Sequence, residues 1–210
     1  MNRRVTRPPG LPTTIGPIAV PQDDVSAASW SWATQTLPEY LLQHSVRAYA
    51  WGAAIAAGEG WTFDPGVLWS AALFHDVGLT SVARNTRCFE YEGAERARRF
   101  VRRRGMSDLD ADRVAAAIIL HMAPGVTLAD GVESVLLDRS TGLDVRGVDY
   151  GLVDDVRDAV MAVAPRGNFD RRFVSAIERE VARRSDCQSL RLLRGSDLVG
   201  SMARSPWAAG

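Results

Sequence analysis

Apolar residues recur along most of the chain at the three- and four-residue intervals of amphipathic helices, and valine and isoleucine do not alternate with polar residues as in strands. The pattern predicts helices over residues 38–57, 66–76, 92–104, 131–144, 152–163 and 170–184, and another that begins near Ser107 and ends before Pro124. Residues 66–76 are apolar on nearly all sides, which is typical of a buried helix. We therefore predict an all-α protein arranged around one central helix.

Capping residues mark both ends of this central helix. The side chain of Asp64 can accept hydrogen bonds from the first backbone N–H groups, and Pro65 fits the first helical position. Gly78 can adopt the left-handed conformation that ends a helix. His75 and Asp76 are therefore predicted at the last turn, where the helix dipole favours a cation.

The chain divides into three parts by composition. Residues 1–24 are rich in proline and poor in periodic apolar positions, which predicts a flexible arm. Residues 25–194 carry all the predicted helices and are long enough for one domain with a substantial core. Residues 195–210 are predicted to be a loose tail.

Charge composition limits the classes of partner. The 25 basic and 25 acidic residues give a formal net charge of zero, so we expect neither a nucleic-acid partner nor binding to an anionic membrane. Every basic residue is arginine. The absence of lysine excludes a Schiff-base lysine and a phosphate-loop lysine. A small-molecule substrate is the expected partner, and a homo-oligomer is compatible with the sequence.

Cysteine content and hydropathy give a prediction of the compartment. Cys88 and Cys187 are too few and too far apart in sequence for a disulfide scaffold. Prolines interrupt the apolar part of the first 20 residues, and no apolar run is long enough to span a bilayer. The predicted location is the cytoplasm.

The chain contains three histidines, His44, His75 and His121, and each lies in or ends an apolar helical segment. His75 is followed directly by Asp76. Imidazole and carboxylate groups are both ligands for borderline divalent cations, and neither is commonly buried without a partner. As an isolated pair, His75 and Asp76 would more often be a half-buried histidine and a polar helix-end residue. The placement of all three histidines favours a metal site.

The order of His44, then His75-Asp76, then a later aspartate resembles the HD superfamily of metal-dependent hydrolases. Short sequence motifs around these residues narrow the resemblance to its cyanamide hydratase-like branch. These motifs lie at residues 44–52, 74–80, 88–93, 117–121 and 169–180. The resemblance covers roughly residues 38–194, and it implies an HD-domain helical bundle in which separate helices supply the ligands.

The resemblance implies that His44, His75, Asp76 and Asp144 hold one divalent metal ion. Zinc is the favoured ion, with iron or manganese as alternatives. Asp144 lies in a Gly-Leu-Asp-Val-Arg-Gly motif that looks like the family's last ligand motif. Asp138 is the alternative candidate for the final ligand. Two-metal members carry two additional histidines between the His-Asp pair and the last aspartate. This chain has one there, so we expect a single metal.

His121 is the predicted catalytic residue, for proton transfer or substrate orientation. The alternatives are a histidine that supports a ligand or one that binds a second metal. Other predicted roles rest on proximity to the motifs. Supporting residues behind the ligands would be Arg47, Glu90 and Glu92, and the pocket wall would be Trp51, Phe74, Phe89 and Tyr91.

The resemblance implies attack of metal-bound hydroxide on a small substrate, such as a nitrile like cyanamide. A nucleotide phosphohydrolase is the first alternative, because much of the superfamily performs that reaction. The second alternative is a non-catalytic sensor that binds metal or ligand. Four intact ligand positions argue against the sensor.

Overall fold

A computed structural model describes residues 10–80, 87–152, 154–184, 186–195 and 197–206. The described residues are mostly helical and contain almost no strand, which confirms the predicted all-α class. One short antiparallel hairpin pairs β1 (Thr14–Ile15) with β2 (Ile18–Ala19). The α-helices are α1 (Asp24–Thr36), α2 (Glu39–Glu59), α3 (Pro65–Phe74), α4 (Phe89–Arg103), α5 (Asp108–Leu120), α6 (Val132–Arg146), α7 (Asp154–Val163), α8 (Phe169–Arg183), α9 (Gln188–Leu190) and α10 (Leu198–Arg204).

Helix α3 lies at the centre of the fold, as its apolar sequence predicts. It packs against α1, α2, α4, α5 and α6. Every side chain from Val67 to Phe74 is buried. The carboxylate of Asp64 accepts hydrogen bonds from the backbone N–H groups of Gly66 and Val67, and Pro65 occupies the first turn. The local capping signals therefore set the start of the helix that carries the His-Asp pair.

The end of α3 differs from the prediction for Gly78. The chain continues from Asp76 into a short 3₁₀ turn over Val77–Leu79, and Gly78 does not have a positive φ. A Cβ at Gly78 would instead overlap the carbonyl oxygen of Phe89. Glycine is required here because the start of α4 approaches the backbone of this turn too closely for any side chain.

The N-terminal segment is more ordered than predicted. Residues 10–24 contain the β1–β2 hairpin and the start of α1, whereas a flexible arm was expected up to residue 24. Ile15 is fully buried, and the hydroxyl of Tyr49 donates a hydrogen bond of 2.8 Å to the carbonyl oxygen of Ala19. These contacts attach the hairpin to α2. Residues 1–9 lie outside the described residues.

The C-terminal segment also differs from the predicted loose tail over residues 195–210. Helix α10 packs against α6 and α8. Its side chains Leu198 and Met202 are buried in the main hydrophobic core. Helix α10 has seven residues and two buried apolar positions four residues apart. A single such repeat cannot be distinguished from chance in the sequence, which explains why this helix was not predicted. Residues 207–210 lie outside the described residues.

A disulfide joins Cys88, just before α4, to Cys187, just before α9, with 5.5 Å between their Cα atoms. Their separation of 99 residues gave no signal of this pairing, which only the tertiary fold produces. Disulfides persist mainly in oxidising compartments. The cytoplasmic location stays a prediction, and this bond does not support it.

None of the helices in the described ranges combines the length and the apolar character that crossing a bilayer requires.

We expect Cys187→Ser to lower the free energy of unfolding by about 2–4 kcal/mol under oxidising conditions, because a cross-link over a long loop restricts the unfolded chain. Denaturant unfolding with and without a reducing agent measures the effect. The reduced parent and the reduced variant should then unfold at similar denaturant concentrations. Equal stability of the oxidised proteins would contradict the bond.

Candidate metal centre

Two helices bring three of the four predicted ligands together at the middle of the bundle. His44 lies inside α2, and His75 and Asp76 follow the last residue of α3. The Nε2 atoms of His44 and His75 are 3.1 Å apart. Oδ2 of Asp76 lies 3.6 Å from Nε2 of His44 and 3.3 Å from Nε2 of His75. All three side chains are at most 2% exposed, so the cluster is shielded from bulk water.

The hydrogen bonds of both histidines fix which nitrogen faces the cluster. Nδ1 of His75 lies 2.7 Å from the carbonyl oxygen of Ala72, and Nδ1 of His44 lies 2.6 Å from Oδ2 of Asp144. A carbonyl or carboxylate oxygen only accepts, so each Nδ1 carries the proton and donates. In its neutral form, each ring then presents the lone pair of its Nε2 atom to the other. This is the orientation that metal-binding histidines adopt.

A divalent cation fits this arrangement. Two nitrogens 3.1 Å apart can both reach one ion, since zinc–nitrogen bonds measure about 2.0–2.1 Å. Within the described chain, the buried Oδ2 atom of Asp76 has no hydrogen-bond donor. Burial favours the neutral carboxyl, but His75 and His44 outweigh it and lower the pKa of Asp76 to about 2. The result is an ionised, buried carboxylate oxygen that a cation would satisfy.

His121 follows the last residue of α5, and its ring lies edge-on to that of His75 with 5.0 Å between centroids. Nδ1 of His121 donates to the carbonyl oxygen of Ile118 at 2.6 Å, which leaves the lone pair at Nε2. Burial lowers the pKa of His121 to about 4. The ring is therefore neutral at neutral pH, where its Nε2 can accept a hydrogen bond and acts as a weak base.

The structure does not bring Asp144 into the cluster of His44, His75 and Asp76. The Asp144 carboxylate, on α6, contacts the nitrogen of His44 that points away from the cluster. Its two oxygens accept further hydrogen bonds from Nε and Nη2 of Arg47, at 2.7 and 2.9 Å, and from the indole N–H of Trp51 at 3.0 Å. The ligand role expected for Asp144 from the family resemblance has no counterpart in these contacts.

The network around Asp144 carries a fully buried ion pair. Arg47 is 0% exposed, and burial alone would favour a neutral carboxyl at Asp144. The charge of Arg47 and the hydrogen bonds from His44 and Arg47 hold the pKa of Asp144 well below its usual range. Nη1 of Arg47 also donates to the backbone carbonyls of Ala164 and Pro165. Arg47 thus neutralises a carboxylate behind the cluster.

Asp138, the other candidate for the final ligand, lies on a different face of α6. It lines the same cavity as His44, His75, Asp76 and His121, but its carboxylate is outside the group of atoms close enough to share one ion with them. Burial raises the pKa of Asp138 to about 6, and the opposing charges of Arg146 and other arginines do not cancel that effect.

The two glutamates proposed as supporting residues are not in the cluster. Glu90 is buried at the start of α4, where burial and the nearby Glu180 raise the pKa of its carboxyl. Glu92 accepts a hydrogen bond of 2.7 Å from Arg96 on the outer face of α4.

A cavity of about 400 Å³ opens onto the cluster between α6, α8 and the segment after α9. None of the four aromatic residues predicted for its wall lines it. Trp51 is buried against Asp144, Phe74 stacks on Trp32, Phe89 packs beside His121, and Tyr91 is 46% exposed. The wall of this cavity is therefore built from residues other than these four.

The cavity wall includes residues that the motif analysis missed. Phe173 of α8 is the aromatic side chain of the wall, and Arg146 and Arg191 supply its positive charge. Asp138, Thr141, Gly142 and Val145 follow one another at helical spacing on the cavity face of α6. That periodicity is visible in the sequence, and it was the available signal for this face.

Comparison with protein families gives a match over residues 41–163, more than half of the chain, to the HD domain. The chain belongs to the HD domain family. No curated protein matches the chain. The match spans the segments that carry His44, the His75-Asp76 pair and His121, so the HD domain contains the whole cluster. Membership supports metal-dependent hydrolase activity in general, and it does not identify a branch.

We expect Asp144→Ala to lose most of the bound metal while Asp138→Ala retains it. Without the Asp144 carboxylate, Nδ1 of His44 loses its acceptor and the buried charge of Arg47 loses its anionic partner, which costs roughly 3–5 kcal/mol of stability. Metal content after dialysis, with circular dichroism as a check of folding, measures both effects. The reverse pattern would identify Asp138 as the ligand.

Proposed function

We propose that this HD-domain protein is a metal-dependent hydrolase that adds water to a small molecule bound in the cavity beside His44, His75 and Asp76. The observation that carries this proposal is the convergence of two Nε2 lone pairs and one ionised carboxylate oxygen without a donor. Those three groups would hold one divalent ion, and three protein ligands leave room for water. Such an ion supplies hydroxide at neutral pH by lowering the pKa of a coordinated water to about 7.

The remaining residues of the site orient and protect this centre. Asp144 fixes the ring of His44 through Nδ1, and the carbonyl of Ala72 does the same for His75. Such outer contacts keep the ligating nitrogens deprotonated and aimed at the ion. In this proposal Asp144 acts through His44.

His121 moves the proton. Its Nε2 faces the cavity as an acceptor, so it takes a proton from the attacking water and returns it to the atom that gains electron density. With a nitrile, the water oxygen bonds to carbon, one C–N π bond breaks, and the nitrogen receives the proton to give an imidic acid. Transfer of the remaining hydroxyl proton to nitrogen then gives the amide. With an ester, the returned proton goes to the leaving oxygen.

The first candidate substrate class is a small nitrile such as cyanamide, as the resemblance of the motif words implies. A phosphate ester, including a nucleotide, is the second candidate. Two observations favour it: the cavity, at about 400 Å³, is far larger than cyanamide, and Arg146 and Arg191 line it. Cavities of this size ordinarily hold a molecule of drug or nucleotide dimensions.

Metal analysis of the purified protein followed by a substrate panel tests the proposal. We expect about one divalent ion per chain, since one cluster of His44, His75 and Asp76 is present in the described residues. Zinc, iron and manganese would each be restored to chelator-treated protein and assayed with cyanamide, larger nitriles and nucleotides. A chain that binds no metal, or that turns over no member of the panel with any ion, would refute the proposal.

We expect His121→Ala to keep the fold and the metal but to lower turnover by about a hundredfold or more, the usual scale of general acid–base help. Metal content and circular dichroism should match those of the parent. Loss of metal together with activity would show instead that His121 is a ligand.

A further inference from the structure

Arg146 is the last residue of α6, and its side chain lines the cavity that contains the metal cluster. Within the described part of the chain, its guanidinium makes no ion pair and no hydrogen bond, although the residue is half-buried. Arginines in such positions ordinarily find a carboxylate or a carbonyl, because five donors are costly to leave without acceptors. The cavity therefore contains a cationic group whose donors are available.

The backbone of α6 makes room for this guanidinium. Gly142 lies one turn before Arg146, and a Cβ at position 142 would come within 3.0 Å of Nη2 of Arg146. That distance is tighter than most contacts with a Cβ, so a larger residue would require the guanidinium to shift by a few tenths of an ångström. Gly142 is helical without a positive φ, so backbone conformation does not require glycine there. Its effect is to let the Arg146 side chain lie close to the helix on the cavity side.

The other charged groups of this wall do not form an ion pair or a hydrogen bond with Arg146. Asp138 is close enough to interact with it electrostatically but forms no ion pair with it. Arg191 donates to the carbonyl oxygen of Met122 and to the side chain of Gln188, so its own donors are largely used. Two arginines face one aspartate on this wall, which leaves an excess of positive charge next to the cluster.

We propose that Arg146, which lies against Gly142, binds an anionic group of the substrate. This replaces the neutral nitrile, the first candidate named above, with a small carboxylate or phosphate compound. This proposal rests on the proposed function, because it uses the same cavity and names the class of molecule that enters it. A guanidinium recognises both anions in the same way, through two parallel charge-assisted hydrogen bonds.

The test measures binding without turnover. Inorganic phosphate, acetate and neutral acetamide would be titrated into metal-loaded protein by calorimetry. We expect Arg146→Gln to raise the Kd for the anion by about tenfold or more, the scale of a lost charge-assisted bidentate contact, without a change in metal content or in acetamide binding. Phosphate and acetate serve as separate arms, and the anion that loses affinity identifies the group.

Two further variants separate local from general effects. Arg139→Gln is the matched control, because Arg139 lies on α6 but pairs with Glu59 and does not line the cavity. It should leave anion binding unchanged. Gly142→Ala keeps the charge and favours the helix, yet its methyl group should shift the guanidinium by a few tenths of an ångström and weaken anion binding less than Arg146→Gln does.

Unchanged anion affinity in Arg146→Gln, or an equal loss in Arg139→Gln, would overturn the proposal. Failure of the hydrolase proposal would be recognised separately. In that case the parent protein would bind the anion in an Arg146-dependent manner but would turn over no member of the substrate panel.

Discussion

The carboxylate of Asp144 is the group on which the centre of the molecule depends. It accepts hydrogen bonds from His44, from two nitrogens of Arg47 and from Trp51, so it joins α6 to three residues of α2. Arg166, just before α8, also donates to its backbone carbonyl. A fully buried guanidinium without a carboxylate would be strongly destabilising. The same interaction that makes the core tolerate Arg47 therefore also aims His44 at the metal cluster.

Helical periodicity predicted most of the fold because the information is local. The apolar composition of residues 66–76 indicated a central helix, and Asp64 and Pro65 marked its start. The order of His44, His75 and Asp76 indicated the cluster through the family resemblance. The choice between Asp138 and Asp144 could not be made in this way. Six positions along a helix turn a side chain by about 240°, and only the packing of α6 on α2 decides which aspartate meets His44.

Proximity to a motif was a poor guide to the cavity wall. Trp51 and Phe74 are close in sequence to the ligands, yet their rings fill the core between helices. The wall comes from α6, α8 and the segment after α9, which are distant in sequence from the His-Asp pair. The terminal segments were misjudged for a related reason. Proline content suggested an arm, although Ile15 packs in the core and needs only a two-residue strand to do so.

The disulfide limits how wide the entrance to the cavity can become. Cys88 precedes Phe89, whose carbonyl lies against Gly78 in the turn that follows the His-Asp pair, so one end of the bond is anchored beside the cluster. The other end, Cys187, is four residues before Arg191, which lines the cavity. Four extended residues reach at most roughly 14 Å. While the bond is intact, Arg191 stays within that distance of the anchored Cys187. A molecule too bulky for the resulting entrance is excluded whatever its chemistry.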